Sequence, residues 1–131
     1  MTFSQLKIHV AALLKSRREV SIPTSNDELI PLVHQNMLNI ANRYKVIGLI
    51  TKSENFRVLR ALGDGNFIRT PKAPRNDTDK IDMDEELTMA IANHVAGDLA
   101  SSQLNRNIFK KNARKIVKDY SFKIYNTKST T

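Results

Sequence analysis

Four segments of the chain place apolar residues three or four positions apart, as on one face of an α-helix. A stretch containing Pro23 separates the first two segments, and Ser101 and Ser102 separate the last two. The sequence therefore predicts four helices. Their apolar faces are Phe3, Leu6, Val10 and Leu13; Ile30, Val33, Met37, Ile40 and Tyr44; Leu87, Ile91, Val95 and Leu99; and Phe109, Ala113, Ile116, Tyr120 and Ile124.

Polar residues and proline mark the predicted helix starts. Ser25, followed three residues later by Glu28, has the spacing of a capping box that opens the second helix. Pro31 cannot donate a hydrogen bond in a helix interior, so the regular part of this helix is predicted from about residue 31. Asp82 or Asp84 begins the third helix, because carboxylates stabilise the free amides of a first helical turn.

The segment between the second and third helices contains β-rich runs and turn residues. Residues 46–51 and 66–70 predict two short strands that pair as a small hairpin. Between them, Ser53 is expected to cap a helix of one or two turns that ends at Gly63. Residues 72–80 are predicted to form an exposed, mobile connection with no role in the core.

The fold predicted from these elements is mainly α. It is a four-helix-type bundle with a small β-hairpin or loop insertion between the second and third long helices and an extended C-terminal tail. The helical domain spans residues 1–125, the insertion residues 45–80 and the flexible tail residues 126–131. A chain of 131 residues is too short for two independent cores, and it contains no cysteine. Hydrophobic packing must therefore stabilise the domain without disulfides or thiolate-bound metal.

Charge is unevenly distributed along the chain. Twenty-one Lys and Arg against 13 Asp and Glu give a net charge of +8. Residues 77–86 hold six acids and one lysine, whereas residues 106–128 hold eight basic residues and one acid. Such a chain favours binding to a charged surface, which can belong to nucleic acid, to an anionic surface or to an acidic protein. Charge alone does not choose among them.

The residue patterns that usually accompany catalysis are missing from the sequence. Gly63 and Gly65 lack the Gly-Lys-Ser/Thr ending of a nucleotide-binding loop, and there is no nucleophile elbow. The acids of residues 77–86 lack the spacing of a calcium loop, which favours helix capping and solvation over metal binding. His94, with Asp98 four residues later, is typical of a surface contact. The sequence thus predicts a binding or structural protein, with no enzymatic activity, no cofactor and no metal.

Membrane insertion is not expected. No stretch reaches the roughly 20 continuous apolar residues that a membrane-spanning helix needs. The first residues also lack the charged-then-apolar pattern of a signal peptide. A product that is made in the cytoplasm and does not contact a membrane is therefore expected.

Several short elements between residues 58 and 99 follow one another in a distinctive order. Residues 67–71 read Phe-Ile-Arg-Thr-Pro, and residues 81–87 read Ile-Asp-Met-Asp-Glu-Glu-Leu. This order resembles that of the small neck proteins of tailed bacteriophages, the head–tail connector family, in which a Tyr/Phe-Ile-Arg-x-Pro element and a loop precede an Ile-Asp-x-Asp-x-x-Leu helix start, an alanine-rich helix and a basic final helix. The likeness covers roughly residues 25–125.

The resemblance implies a non-catalytic virion structural protein that is made in the host cytoplasm and lies in the virion neck. Such an adaptor forms an oligomeric ring, commonly twelve-fold, that docks on the portal protein and receives the tail or a second neck protein. Genome DNA passes through its lumen without specific binding.

Two sets of residues are assigned to these contacts, because an acidic and a basic edge on one subunit suit head-to-tail association into a ring. Contact with the next subunit or the tail is expected at Phe67, Arg69, Lys72, Arg75, Asp82, Asp84 and Glu85. Portal docking or anion contact is expected at Lys110, Lys111, Arg114, Lys115, Lys118, Tyr125 and Lys128.

A small basic nucleic-acid-binding regulator or packaging accessory protein is the alternative function. In that hypothesis the basic side chains of the last helix contact phosphates, which supplies salt-sensitive affinity that does not depend on sequence. The basic face of an amphipathic helix can also be simply a solvated surface. Binding to the portal and loss of affinity with rising salt distinguish the two functions.

Overall fold

Four helices dominate the described part of the chain: α1 (Phe3–Ser16), α2 (Asn26–Arg43), α3 (Glu85–Leu99) and α4 (Gln103–Ser129). A computed structural model describes residues 1–20, 25–52 and 55–129, with side chains up to residue 124. The alanine-rich α3 is buried along most of its length and packs against each of the other three helices. The predicted mainly α bundle, with a β insertion between the second and third helices, is confirmed.

The start of α2 differs from the prediction. Ser25 is the N-cap residue, but its side chain makes no capping hydrogen bond, so the predicted capping box is not formed. The helix begins at Asn26 and continues through Pro31, so the predicted start near residue 31 is wrong. Pro31 is exposed and lies close to the helix start, where the carbonyl group left without a donor can be hydrated.

Three short strands, not two, form the insertion: β1 (Ile50–Thr51), β2 (Val58–Ala61) and β3 (Phe67–Arg69). They make an antiparallel sheet in the order β1-β3-β2. The predicted pairing of residues 46–51 with residues 66–70 is therefore confirmed, as the pairing of β1 with β3. A short 3₁₀ turn (Ile47–Leu49) replaces the beginning of the first predicted strand. The predicted helix between the strands is wrong, because β2 occupies that place; its proposed cap, Ser53, lies outside the described residues.

A glycine-containing loop connects β2 to β3 and explains why this segment is a hairpin. Gly63 and Gly65 have φ angles of +83° and +86°, which side chains rarely tolerate. The Leu62 amide donates to the Asn66 carbonyl at 2.9 Å and closes the loop. Arg60 then ties the hairpin to the end of α2 by donating to the carbonyl oxygens of Ala41 and Tyr44 at 3.0 and 2.8 Å.

Residues 72–80 are mostly exposed, as predicted, but they are bonded to the start of α1 and do not form the free connection that was expected. The amides of Phe3 and Ser4 donate to the carbonyl oxygens of Asp79 and Asp77 at 2.8 and 3.0 Å. The first amides of a helix have no partner within it, and this segment supplies them with acceptors. Pro74 is buried, as is Pro71 just before the segment, so the prediction of no core role is also wrong.

The turn that ends α1 is hydrogen-bonded to the start of α4. Arg18 adopts a left-handed conformation with φ of 59°, and the Glu19 amide donates back to the Leu14 carbonyl, as in a Schellman cap. This turn directs the Glu19 carboxylate to the Ser101 amide and the Asn105 side-chain amide, at 2.7 and 2.6 Å. These two hydrogen bonds, in that order, lower the pKa of Glu19 from 4.5 to about 2.

Acidification is expected to weaken this junction. Because the pKa of Glu19 is lower in the folded chain than the usual 4.5, its stabilisation is complete above that pH and is lost as pH falls towards 2. Glu19→Gln should therefore lower the urea midpoint most near neutral pH and have little effect near pH 2. Urea unfolding of both proteins, followed by circular dichroism across this range, checks the expectation; a pH-independent difference would contradict it.

Helix α4 is the longest helix of the described residues. Lys123 meets Glu86, in the first turn of α3, at 3.1 Å, and the helical backbone continues for six residues to Ser129. Six helical residues span about 9 Å. The helix therefore extends beyond its predicted end near residue 125, while residues 130 and 131 of the predicted tail lie outside the described residues.

Candidate docking surfaces

The acidic residues of positions 77–86 all have partners within the same chain. Each carboxylate forms a hydrogen bond or an ion pair with a neighbouring group, so this cluster is not a free acidic edge. The contacts are Asp77 with Lys7, Asp79 with the Arg75 and Asn76 amides, Asp82 with Arg69, Asp84 with Gly48 and Tyr120, Glu85 with the Met1 amino group, and Glu86 with Lys123.

Arg69 and Asp82 form a two-pronged ion pair between β3 and the segment that precedes α3. Both Nη atoms of Arg69 lie 2.6 Å from a carboxylate oxygen of Asp82, and the Lys72 amide donates to the same carboxylate at 2.8 Å. Each charged side chain is 23% exposed. Burial raises the pKa of Asp82, but the hydrogen bonds from Arg69 and Lys72 outweigh burial and leave that pKa below its usual value.

Asp84 connects three elements at the N-terminus of α3. Its carboxylate accepts a hydrogen bond from the Gly48 amide at 2.8 Å and another from the Tyr120 hydroxyl group. The Ile47 amide in turn donates to the Tyr120 oxygen at 2.9 Å. Burial, followed by the hydrogen bond to Asp84, raises the pKa of Tyr120. This network joins the 3₁₀ turn, α3 and α4.

Residues predicted for subunit or tail contact thus fall into two groups. Arg69, Asp82 and Asp84 are engaged inside the subunit, and Phe67 is half-buried in the central strand β3. Exposed positions remain at Lys72, Arg75 and Glu85. The side chains of the first two form no ion pair with any other described residue.

The basic residues predicted on the last helix are mostly exposed and unpaired. Four of them form one row on α4, opposite the buried Phe109, Ala113, Val117 and Tyr120. We call this row the basic face; it consists of Lys111, Arg114, Lys115 and Lys118. None of the four makes an ion pair with the described residues, whereas Lys110 pairs with Asp98 at 2.6 Å. The side chains of Tyr125 and Lys128 lie outside the described part of the chain.

A narrow groove between α2 and α4, lying over α3, was not predicted from the sequence. Its volume is about 190 Å³. Its lining combines the apolar parts of Ile40, Tyr44 and Val117 with polar and charged residues from all three helices: Asn36, Asn39, Arg43, His94, Lys110 and Arg114. We call it the α2–α4 groove. These residues are far apart in sequence, so no local motif marks the site.

His94 does not make the predicted contact with Asp98. Asp98 instead accepts hydrogen bonds from Lys110 at 2.6 Å and from Asn36 at 2.9 Å, which occupy both carboxylate oxygens. The Nδ1 atom of His94 is buried and has no hydrogen-bond partner among the described residues. Burial, with a smaller effect of Lys110, lowers the pKa of His94 to about 4, so the ring is neutral at physiological pH.

A wider, open groove of about 1170 Å³ runs along residues 69–75 and 79–84. Its lining mixes apolar residues such as Ile30 and Leu49 with the ion pair of Arg69 and Asp82.

The described residues contain no group of three His, Asp or Glu side chains that could hold a metal ion. Among these residues, no helix has the length and apolar character required to cross a membrane.

The basic face of α4 and the α2–α4 groove are the candidate docking surfaces that carry cations of α4 left unpaired among the described residues, and the exposed Lys72 and Arg75 are a further candidate contact. In comparisons with known proteins, no protein-family model, curated protein or solved structure matches the chain.

Proposed function

We propose that this chain is a non-catalytic structural subunit of a bacteriophage neck: a head-to-tail adaptor that assembles as a ring, docks on the portal and connects it to the tail. The resemblance of residues 58–99 to neck proteins motivates the proposal. The observation that carries it is the basic face of α4, whose four cations have no acidic partner among the described residues. The helical backbone of α4 also continues to Ser129, six residues beyond the contact of Lys123 with Glu86.

An acidic surface on the portal is the partner that this face would fit. Ion pairs at the edge of an interface contribute modestly to affinity but strongly to orientation and association rate. Repetition around a ring makes weak contacts collectively stable, because each bound subunit holds its neighbours near the portal. Contacts between adjacent subunits in this proposal use exposed residues such as Lys72 and Arg75, since the acids of residues 77–86 are engaged internally.

Charge reversal on the basic face is expected to weaken portal binding by about tenfold or more, with the fold unchanged. Lys111→Glu and Lys118→Glu are suitable variants, because both side chains are exposed and lie away from the α2–α4 groove. Lys15→Glu, on the exposed side of α1, is the matched control with the same change in net charge. Light scattering and negative-stain microscopy, with a portal ring from the same genome, measure association.

Either of two results would contradict the adaptor proposal. In one, neither the protein alone nor the protein with portal forms rings. In the other, portal binding falls equally for Lys118→Glu and Lys15→Glu, which would show a response to net charge and not to this face.

Nucleic-acid binding by a regulator or packaging accessory is the second candidate, and the same unpaired basic face favours it. Lysine and arginine that neutralise phosphates release counterions, so affinity for duplex DNA falls steeply as salt rises. This function would be supported over the adaptor by three results together. The protein does not bind the portal, it binds duplex DNA in this salt-dependent way, and Lys111→Glu and Lys118→Glu abolish that DNA binding.

A further inference from the structure

The α2–α4 groove brings together cations from two helices that are distant in sequence. Arg43 comes from the last turn of α2, and Lys110 and Arg114 come from successive turns of α4. Asp98 is the acid beside them, and it is already bonded to Lys110 and Asn36. Three positive charges and one negative charge leave the groove with a local charge of +2. Arg43 and Arg114 have no ion pair among the described residues.

The Lys110 side chain is held in place before any ligand binds. Its carbon atoms lie across Gly97, so close that a Cβ atom at that position would be 3.0–3.2 Å from them. Its amino group is 2.6 Å from Asp98. A lysine fixed at both its stem and its amino group loses less conformational entropy when it contacts a ligand, which favours binding.

His94 adds an uncompensated polar group to the same place. Its Nδ1 atom is buried without a hydrogen-bond partner among the described residues, whereas most buried polar atoms in folded proteins are hydrogen-bonded. The charged groups around the ring are Lys110, Asp98, Arg114 and Arg43, of which only Asp98 is negative. A neutral ring surrounded by net positive charge allows an anion to approach without repulsion.

The size and charge of the groove together define the ligand. A volume of about 190 Å³ is smaller than that of pockets which enclose whole drug-sized molecules, so the groove fits a single functional group. Two guanidinium groups match the several oxygens of a phosphate, which accept paired hydrogen bonds. A phosphate monoester carries about −1.5 to −2 charges at neutral pH, close to the local +2, whereas a carboxylate carries only −1.

We propose that the α2–α4 groove is a binding site for a phosphate monoester or free phosphate, held by Arg43, Arg114 and Lys110. The Asn39 side chain lies at the same groove and offers its amide N–H groups to the phosphate oxygens, whereas the Asn36 side-chain amide already donates to Asp98 and to the Leu32 carbonyl. Arg114 belongs both to this site and to the basic face, whereas Lys111, Lys115 and Lys118 do not line the groove, so variants at these three lysines test the docking role separately.

Titration of the full chain with inorganic phosphate and with a nucleoside monophosphate, followed by calorimetry and NMR, tests the proposal. Arg114→Gln and Arg43→Gln should each weaken binding by about tenfold or more, since each removes a charge-assisted hydrogen bond. Lys118→Gln, which removes the same charge one turn further along α4 from an exposed side chain that does not line the groove, should change affinity by less than about twofold. Arg43→Lys, which keeps the charge but not the paired donors, should fall between them.

The His94 ring gives a second readout, which simple loss of folding would not reproduce. Bound phosphate should shift its ring-proton resonances and raise its pKa from about 4, because an anion stabilises the protonated form. Binding of both probes would identify phosphate as the recognised group, and tighter binding of the nucleotide would identify a monoester as its source. The proposal is overturned if neither probe binds, if Lys118→Gln weakens binding as much as Arg114→Gln, or if only duplex DNA or an acidic peptide binds.

Discussion

Gly48→Ala is expected to lower the free energy of unfolding by about 3 kcal/mol. A Cβ atom at this position would lie 2.1 Å from Asp84 Oδ1 and 3.3 Å from its Cγ, far inside van der Waals contact. The carboxylate cannot move away from the added atom without losing hydrogen bonds, because the Gly48 amide and the Tyr120 hydroxyl group both donate to it. The substitution therefore breaks the junction of the 3₁₀ turn with α3 and α4. Urea unfolding followed by circular dichroism measures the loss.

A matched glycine distinguishes this clash from a general effect of alanine. Gly65→Ala meets nothing within 4 Å, so its cost is the backbone strain of a φ angle of +86°, about 1 kcal/mol. Combining Gly48→Ala with Asp84→Ala removes the atom that clashes, so the double variant should be more stable than the sum of the single effects predicts. Equal losses for the two glycine variants, or strict additivity, would show that Asp84 does not hold the junction.

Helix periodicity was sufficient to predict the bundle but not the details of its packing. Residues such as Phe3, Leu87 and Phe109 are buried where the apolar spacing places them. Leu14, and not Leu13, completes the core face of α1, since a spacing of three or four residues leaves neighbouring positions ambiguous. Long periodic segments constrain their own burial, and for that reason the four helices were predictable.

The β2 strand was missed because its local signal was helical. Phe56, Leu59 and Leu62 are three apart, and Gly63 follows them as a helix-ending glycine would. Pairing with β3 and the bonds from Arg60 to the end of α2 override this preference. Such contacts join residues that are far apart in sequence, so propensity within the segment does not reveal them.

The candidate site was predictable only in its charge. A basic outer face on the last helix followed from the spacing of Lys111, Lys115 and Lys118. The internal contacts of the acids near α3 could not be predicted in this way, because the contact between Asp82 and Arg69 depends on where β3 lies in the folded chain. The same holds for the α2–α4 groove, where Arg43 and Arg114 come from helices separated by the whole insertion.

Asp82→Ala is expected to lower the free energy of unfolding of the isolated subunit by about 2 kcal/mol. The change leaves the guanidinium group of Arg69, which is 23% exposed, without its two hydrogen bonds. It also removes the acceptor for the Lys72 amide. Since the pKa of Asp82 is lowered in the folded chain, this stabilisation is present above its usual pKa of 3.8 and is lost as pH falls below it.

The companion variant Arg69→Met completes a double-mutant cycle that separates an internal pair from a contact between subunits. If the pair stabilises the subunit itself, Asp82→Ala should cost less stability in the Arg69→Met background than alone, at concentrations where the protein is monomeric. Arg75→Met, in an exposed residue whose side chain has no ion pair with the described residues, should change stability by less than about 0.5 kcal/mol. If Asp82→Ala and Arg69→Met left monomer unfolding unchanged but abolished ring formation, the two residues would contact other subunits, as expected from the sequence, and the internal role assigned to the pair would be wrong.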